Sequence, residues 1–574
     1  MKKYQAKHGT VKSNTSLFFS GVVILTAANL IVKIIGLLFK IPMANTFGDE
    51  VMGYYNSAYA IYTFFYMIST AGLPVAVSIM IAESRAKGKL RQIKRIFTVT
   101  VGLFFLIGLA GMAMMFFGSG WYSADVLKAE PTKYSIMVIA PMLFLICISS
   151  EIRGYFQGFQ QMMPTAVSEL IEAFCKLAVG IALAAYAADR YPGQYHIISA
   201  YAAIGLTVGA GLSMINESRY TKEFLDKCGG ENTDSDPSGK IIKRLITIAL
   251  PITISSSIMS LTGMIDSILV QRLLQQGSLI TKAMTQKEAT TVYGNYTSRA
   301  VPMFNLPPVL VYPISCSIVP LISAARGQGD TKRVGTIMES SLRTAVLIGA
   351  PCALGMTVLA RPILSLFFTG AEAIDNAAPL LRLLAPSTFF VCILAVLTAM
   401  LQSCGKERLP LVSMCIGAVV KIIGSFVFIR LIGIYGAPVS TFFCYITICS
   451  IHLFFVRKHT GLTIKTGTVF VRPIFCAVLC AAAAYGAYFV SSSVLSARLA
   501  TVVSIAAAII VYVAAIFLFG AVGEDDVMLL PKGTKLCGIL KKMNRRGDGA
   551  YVRQLLTKLR HEIPGLVLRT SLIT

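Results

Sequence analysis

Charge is scarce in this chain: 14% of its 574 residues are Asp, Glu, Lys or Arg, against about 25% in a soluble domain. Acid is scarcer still, with 27 Asp and Glu against 52 Lys and Arg. With 55% hydrophobic residues and a mean hydropathy of +0.70, that deficit excludes a soluble globular protein and leaves an all-α polytopic membrane protein. Alternation of apolar and polar residues is missing; the apolar runs are continuous, which excludes an outer-membrane barrel. No small-residue cleavage site follows the first apolar run, which is too long for a secretory signal, so no cleaved leader is expected. A phosphate loop is absent as well. The nearest string, Gly405-Lys406-Glu407, lacks the leading Gly and closing hydroxyl of GxxxxGK[ST], which argues against a pump driven by ATP.

Cysteine is present but without a framework. None of the 13 cysteines forms a CxxC or His/Cys ligand spacing. All but Cys228 and Cys537 fall within apolar runs, so they read as small core residues, and neither metal nor cofactor is expected. A net charge of +25 would suggest nucleic acid in a soluble protein. Here the basic residues sit in short loops between apolar runs, the topology signal of a membrane protein, and no nucleic-acid partner is expected.

The spacing predicts fourteen spans, at about 17–39, 54–81, 96–117, 134–150, 164–188, 196–215, 245–271, 292–322, 344–360, 379–402, 410–430, 434–456, 473–491 and 499–520. Assigning alternate loops to alternate sides places 37 of the 52 Lys and Arg residues on the side of both termini and 10 on the other. The positive-inside rule then makes both termini of this multi-pass cell-membrane protein cytoplasmic. The segment 216–244 reads as a cytoplasmic linker. It divides an N-lobe (1–215, spans 1–6) from a C-lobe (245–456, spans 7–12); spans 13–14 (457–520) and a basic amphipathic cytoplasmic tail (521–574) follow. An internal repeat supports two pseudo-symmetric six-helix lobes. At an offset of 245, Gln157, Ser168 and Lys176 match Gln402, Ser413 and Lys421. Repeats of this kind mark transporters with a central site at the repeat interface.

Five cations remain inside spans: Lys33, Lys176, Arg299, Arg382 and Lys421. A Lys at the middle of a spanning helix costs ~3 kcal/mol on insertion scales, so it faces a cavity or partner, or else snorkels to the headgroups. Asn29, Lys33, Gly36 and Lys40 share one face of the first span. Arg299 opens a stretch with five prolines, Pro302, Pro307, Pro308, Pro313 and Pro320, which should break the hydrogen-bond ladder repeatedly. Glu172 stands four residues before Lys176 and can pair with it, as a structural ion pair or a functional one. Asp266 reads either as a counter-ion or coupling-ion ligand, or as a wetted and inert carboxylate. The resulting candidate site is a cationic cavity of Arg299, Lys33, Lys40, Lys176, Lys421 and Arg382, with Asp266 and Glu172 as coupling or counter-ion groups.

Two stretches carry a family resemblance: IVKIIGLLFKIPMANTFG (31–48) running on to MGYYNSAYAIYTFFYMISTAGLPVAVSIMIAE (52–83), and RGYFQGFQQMMPTAVSELIEAFCK (153–176). Both resemble the stage V sporulation protein B group of polysaccharide transporters, related to the lipid II flippases within the multidrug/oligosaccharidyl-lipid/polysaccharide exporter superfamily. The resemblance implies a two-lobed alternating-access flippase rather than an enzyme. Its implied cargo is an undecaprenyl-linked oligosaccharide, and it works as a monomer among membrane lipids beside cell-wall synthases. It also implies that Lys33 and Arg299 stand where the relatives keep arginines in the first and eighth spans. Tyr66 takes the place of a second-span cation and Pro302 that of an acid. A phosphorylated head would need cations, because phosphate pairs strongly with Arg and Lys. A cation-coupled drug exporter of the same superfamily, which would need an acidic cavity, is an alternative. A membrane enzyme acting on lipid-linked sugars is another.

The orientation is tested by labelling single cysteines in a cysteine-free variant of intact cells. Cysteine at Lys87 or Lys332 is expected to be protected from an impermeant maleimide and cysteine at Lys282 to be labelled; the reverse pattern would invert the topology.

Overall fold

The computed structural model describes residues 12–227, 236–406, 408–460 and 465–522. The tail expected to form an amphipathic helix lies outside the described residues. The described residues form seventeen α-helices. In chain order they are α1 (Lys12–Thr46), α2 (Gly48–Thr70), α3 (Leu73–Ala86), α4 (Leu90–Trp121), α5 (Thr132–Gly158), α6 (Met163–Arg190), α7 (Tyr195–Lys227), α8 (Ser238–Gln276) and α9 (Gln286–Asn295). Then follow α10 (Val301–Gly327), α11 (Thr331–Val358), α12 (Ala360–Phe367), α13 (Ala371–Ser403), α14 (Arg408–Ile432), α15 (Gly436–Thr460), α16 (Arg472–Ser491) and α17 (Ala497–Leu518).

Among the described residues, thirteen helical stretches are long and apolar enough to cross a membrane. One of them, Arg408–Thr460, turns back on itself at Gly433–Tyr435 and is the two helices α14 and α15. Gly433 takes φ 62° at that turn, a conformation open to Gly without strain. Split there, the stretches match the fourteen expected spans. Helical backbone also reaches to Lys227 and restarts at Ser238, well inside the stretch read as a linker.

The packing order recurs. In the first half α1 lies on α6, α6 on α7, α5 on α7, α4 on α5 and α2 on α5. In the second half α8 lies on α14, α14 on α15, α13 on α15, α11 on α13 and α10 on α13. The last two helices pair with each other and lean on α11 and α12. The halves meet where α2 and α3 cross α8 and α9.

That crossing is made backbone to backbone. A methyl group on Gly53 of α2 would run into the Thr290 carbonyl of α9, and one on Gly294 into the Asp49 carbonyl. Toward the basic end of the bundle, where the Lys- and Arg-rich loops lie, a methyl group on Gly72 would strike the Ala249 carbonyl of α8.

The eighth span departs from expectation. Its prolines do not break it: Pro302 sits in the first turn of α10, and Pro307, Pro308, Pro313 and Pro320 lie within one continuous helix. The irregularity precedes them, as a wide π turn at Tyr296–Ala300 in which the Val301 N–H bonds back to Tyr296. Pro302 has no N–H to continue an α ladder, so the wider turn forms where the ladder is already interrupted. A carbonyl left free by Pro308 is satisfied from outside, because the Thr388 hydroxyl donates to Phe304 O at 3.4 Å.

Gly294→Ala is predicted to lower the thermal unfolding midpoint in detergent, since overpacking of this kind costs typically ~1–3 kcal/mol. An unchanged midpoint would show that α2 and α9 separate freely.

Candidate functional site

Within the first half, α1, α2, α5, α6 and α7 surround a cavity of about 290 Å³. Its charged lining is Arg153, Glu169, Glu172 and Lys176. Arg153 is 8% exposed. Its Nε donates to Glu217 Oε1 at 2.7 Å, and one terminal nitrogen donates to Ser213 at 3.1 Å and meets Glu172 at 3.4 Å. Glu172 thus pairs with Arg153 of α5, where Lys176 was the expected partner.

Lys176 instead rests on aromatic rings, its Nζ 5.0 Å from the Phe39 centroid, 5.2 Å from Tyr59 and 5.9 Å from Tyr55. Such contacts stabilise a partly desolvated ammonium by about 0.5–2 kcal/mol. Glu169 Oε2 is buried with no hydrogen-bond partner among the described residues.

One wall of the cavity is tyrosine. Tyr55, Tyr59, Tyr62 and Tyr66 recur at helical spacing on α2, with successive ring centroids 6.2, 5.6 and 5.8 Å apart. The last three line the cavity.

A second opening lies between α1 and α10, lined by Asn29, Lys33, Tyr312 and Pro313 among others. Asn29 borders both spaces, so cleft and cavity adjoin. Lys33 is exposed in this cleft.

Arg299 does not line the cavity. It is 3% exposed, and it seals the end of the bundle opposite the basic loops. One terminal nitrogen lies 2.9 Å from Asp49 Oδ1, Nε donates to the same oxygen at 3.0 Å, and the guanidinium stacks over Phe368 at 5.1 Å. Asn295 reinforces the seal, donating to Asp49 Oδ2 and Ala373 O. Nearby, Lys40 donates to Thr297 O at 3.1 Å. Lys40 is inside α1, not in an outer loop as its span boundary suggested.

Lys421 is fully engaged in the second half. Its Nζ lies 3.0 Å from Asp266 Oδ1 and donates to Ala437 O, Ser440 and Thr441 at 2.8–3.0 Å. Asp266 also accepts from Ser425 at 2.8 Å, so it is a counter-ion rather than a wetted carboxylate. Arg382 is exposed on α13 and borders neither cavity nor cleft. The structure therefore brings together Lys176, Glu172 and, through the adjoining cleft, Lys33. It places Arg299 and Lys40 at one end, and Lys421 with Asp266 in a separate ion pair.

Four charged groups were not among the candidates. Arg153 and Glu217 lie in helical extensions past the predicted spans, and Asp49 in the second span's first turn. Glu151 is fully buried and accepts from Thr100 at 2.8 Å. Their signal was present in the sequence as Glu-Ile-Arg just before the Gly-Tyr-Phe-Gln-Gly block, and as Gly-Asp-Glu beside the short turn after α1.

At the basic end the two halves are also tied. Gln92 of α4 donates to Asp236 at 3.1 Å and accepts from its backbone N–H at 2.7 Å. Arg95 reaches Ser238 at 3.0 Å, and Arg244 pairs with Glu83. A hydrogen bond from Lys240 holds the Asp236 carboxyl below its ordinary range, so it accepts as an anion at neutral pH.

The signature of the family described as polysaccharide biosynthesis protein matches residues 18–326, and that described as MatE matches residues 298–427. Stage V sporulation protein B of Bacillus subtilis (strain 168) is 26% identical over 452 residues, covering 78% of this chain and 85% of that protein. The lipid II flippase MurJ of the same organism is 22% identical over 466 residues, covering 79% of this chain and 84% of that protein. Among solved structures, the lipid II flippase MurJ in an inward closed conformation superposes with a TM-score of 0.66 at 15% identity, covering 87% of this chain and 98% of the other.

Asp266→Asn is predicted to lower the unfolding midpoint sharply, because removing one partner of a buried ion pair costs about 3–5 kcal/mol. Adding Lys421→Met should recover part of the loss; a midpoint unchanged by Asp266→Asn would mean that the pair is solvated.

Proposed function

Because this chain belongs to the polysaccharide biosynthesis protein family, we propose that it is a flippase. In this reading it carries an undecaprenyl-linked sugar, such as the peptidoglycan precursor lipid II, from the inner to the outer leaflet for cell-wall or spore-cortex synthesis. The observation that carries the reading is the cavity holding Lys176 and Arg153, adjoined by the Lys33 cleft between α1 and α10. A lipid-linked pyrophosphate needs an ammonium or guanidinium for its head and a path into lipid for its tail. The cavity offers the first and the cleft the second.

Transport proceeds by alternating access between an N-lobe (1–215) and a C-lobe (245–456). The Arg299–Asp49 seal gates the outer end. The ties from Gln92, Arg95 and Arg244 gate the cytoplasmic end, where both termini lie. Outward movement of an anion is favoured by a potential negative inside, by about 2.3 kcal/mol per charge per 100 mV. The transport unit is one chain, and its partners are membrane lipids, the lipid-linked oligosaccharide and the cell-wall synthases that consume the flipped product.

A second reading draws on Glu169 and Glu172, which place acid in the cavity: a cation-coupled drug exporter of the same fold. Proteoliposomes holding the purified protein and lipid II, with and without an imposed potential, separate the two. Appearance of the sugar head in the outer leaflet, reduced at least tenfold by Lys176→Ala, by Lys33→Ala or by Arg299→Ala without loss of insertion, is the expected result. Movement of a cationic dye with no movement of lipid II would favour the exporter. Normal transport by all three variants would overturn the assignment of these cations.

A further inference from the structure

We infer that the tyrosine wall of α2 is a saccharide platform on which Tyr66 is the seat of the second sugar ring of the cargo head. The inference rests on the flippase reading and concerns which head that cavity takes.

Phosphate alone would call for cations along the whole cavity. At one end of the wall stands Lys176, against Phe39, Tyr55 and Tyr59, with Glu172 one helical turn away but no ion pair to it among the described residues. From there the wall continues as Tyr59, Tyr62 and Tyr66, at centroid steps of 5.6 and 5.8 Å. That step is comparable with the repeat of linked pyranose rings. Tyrosine has an apolar body and a polar tip, and a pyranose likewise pairs an apolar C–H face with a rim of hydroxyls.

The groups facing the far rings suit those hydroxyls. Arg153, Glu169 and Glu172 border the same space. The Glu169 Oε2 is buried without a partner among the described residues and lacks a donor that a sugar hydroxyl supplies. Asn29 offers a further amide donor and acceptor at the mouth toward the cleft. The pyrophosphate then rests at Lys176, the prenyl chain leaves by the Lys33 cleft, and the sugars extend along the tyrosines toward Arg153.

The test measures binding of polyprenyl pyrophosphate carrying no sugar, one pyranose or two linked pyranoses to the purified full chain in nanodiscs. Wild-type protein is expected to bind tighter with each ring added, by about three- to tenfold per ring. Tyr66→Ala should remove the gain from the second ring while leaving the sugar-free lipid unchanged, and Tyr66→Phe should keep it. The sugar-free lipid thus reports whether the variant is folded. Equal affinity for all three lipids in the wild type would overturn the platform and leave the flippase reading standing, as would equal losses for all three in Tyr66→Ala. Binding of none of them, with tetraphenylphosphonium bound instead, would overturn both.

Discussion

An ion buried among apolar helices must find its counter-ion on another helix, because an unpaired buried charge costs several kcal/mol. That constraint organises this bundle. Arg153 draws α5, α6 and α7 together through Glu172 and Glu217. Lys421 and Asp266 join α14 to α8. Arg299 and Asp49 join the two halves at one end. The composition favours cations by nearly two to one, yet the buried part of the molecule is close to balanced. The excess lies in the loops and on the few lysines that meet rings, carbonyls or the cleft.

The two matched lysines of the repeat show how one position can diverge. Lys176 and Lys421 occupy equivalent helices, each packed on its successor. In the second half the ammonium is held by a carboxylate, a carbonyl and two hydroxyls, so no lone donor remains for a ligand. In the first half the same group rests on aromatic faces beside open space. A duplicated frame has kept one lysine as a brace and left the other able to meet an anion.

The helix count, the two-lobed repeat and the family were legible in the sequence because they depend on long apolar runs, on a few residues recurring at an offset of 245 and on the blocks 31–83 and 153–176. The acids that neutralise the cations were less legible. Asp49 and Glu217, like the cation Arg153, lie just outside the predicted spans, where hydropathy falls off and a span is drawn too short although the helix runs on. The eighth span was misjudged for a different reason. Proline counts lost hydrogen bonds, but a helix wedged among neighbours tolerates such losses when side chains such as Thr388 satisfy the freed carbonyls. The tyrosine series was visible at its i, i+4, i+7, i+11 spacing; what the spacing could not tell was whether that face met lipid, core or cavity.

The glycine crossings have a mechanical consequence. Contacts made through side chains stretch and shrink as rotamers change; a contact between two backbones does not. Gly53 and Gly294 form one such contact, and Gly72 with Ala249 another, separated by about 28 Å along the second span at 1.5 Å of rise per residue. Each can serve as a pivot but only while the other gives way: opening at the Arg299 end must part the Gly53–Gly294 contact and turns on Gly72 and Ala249, and opening at the basic end does the reverse, so the two ends cannot open together without the halves coming apart.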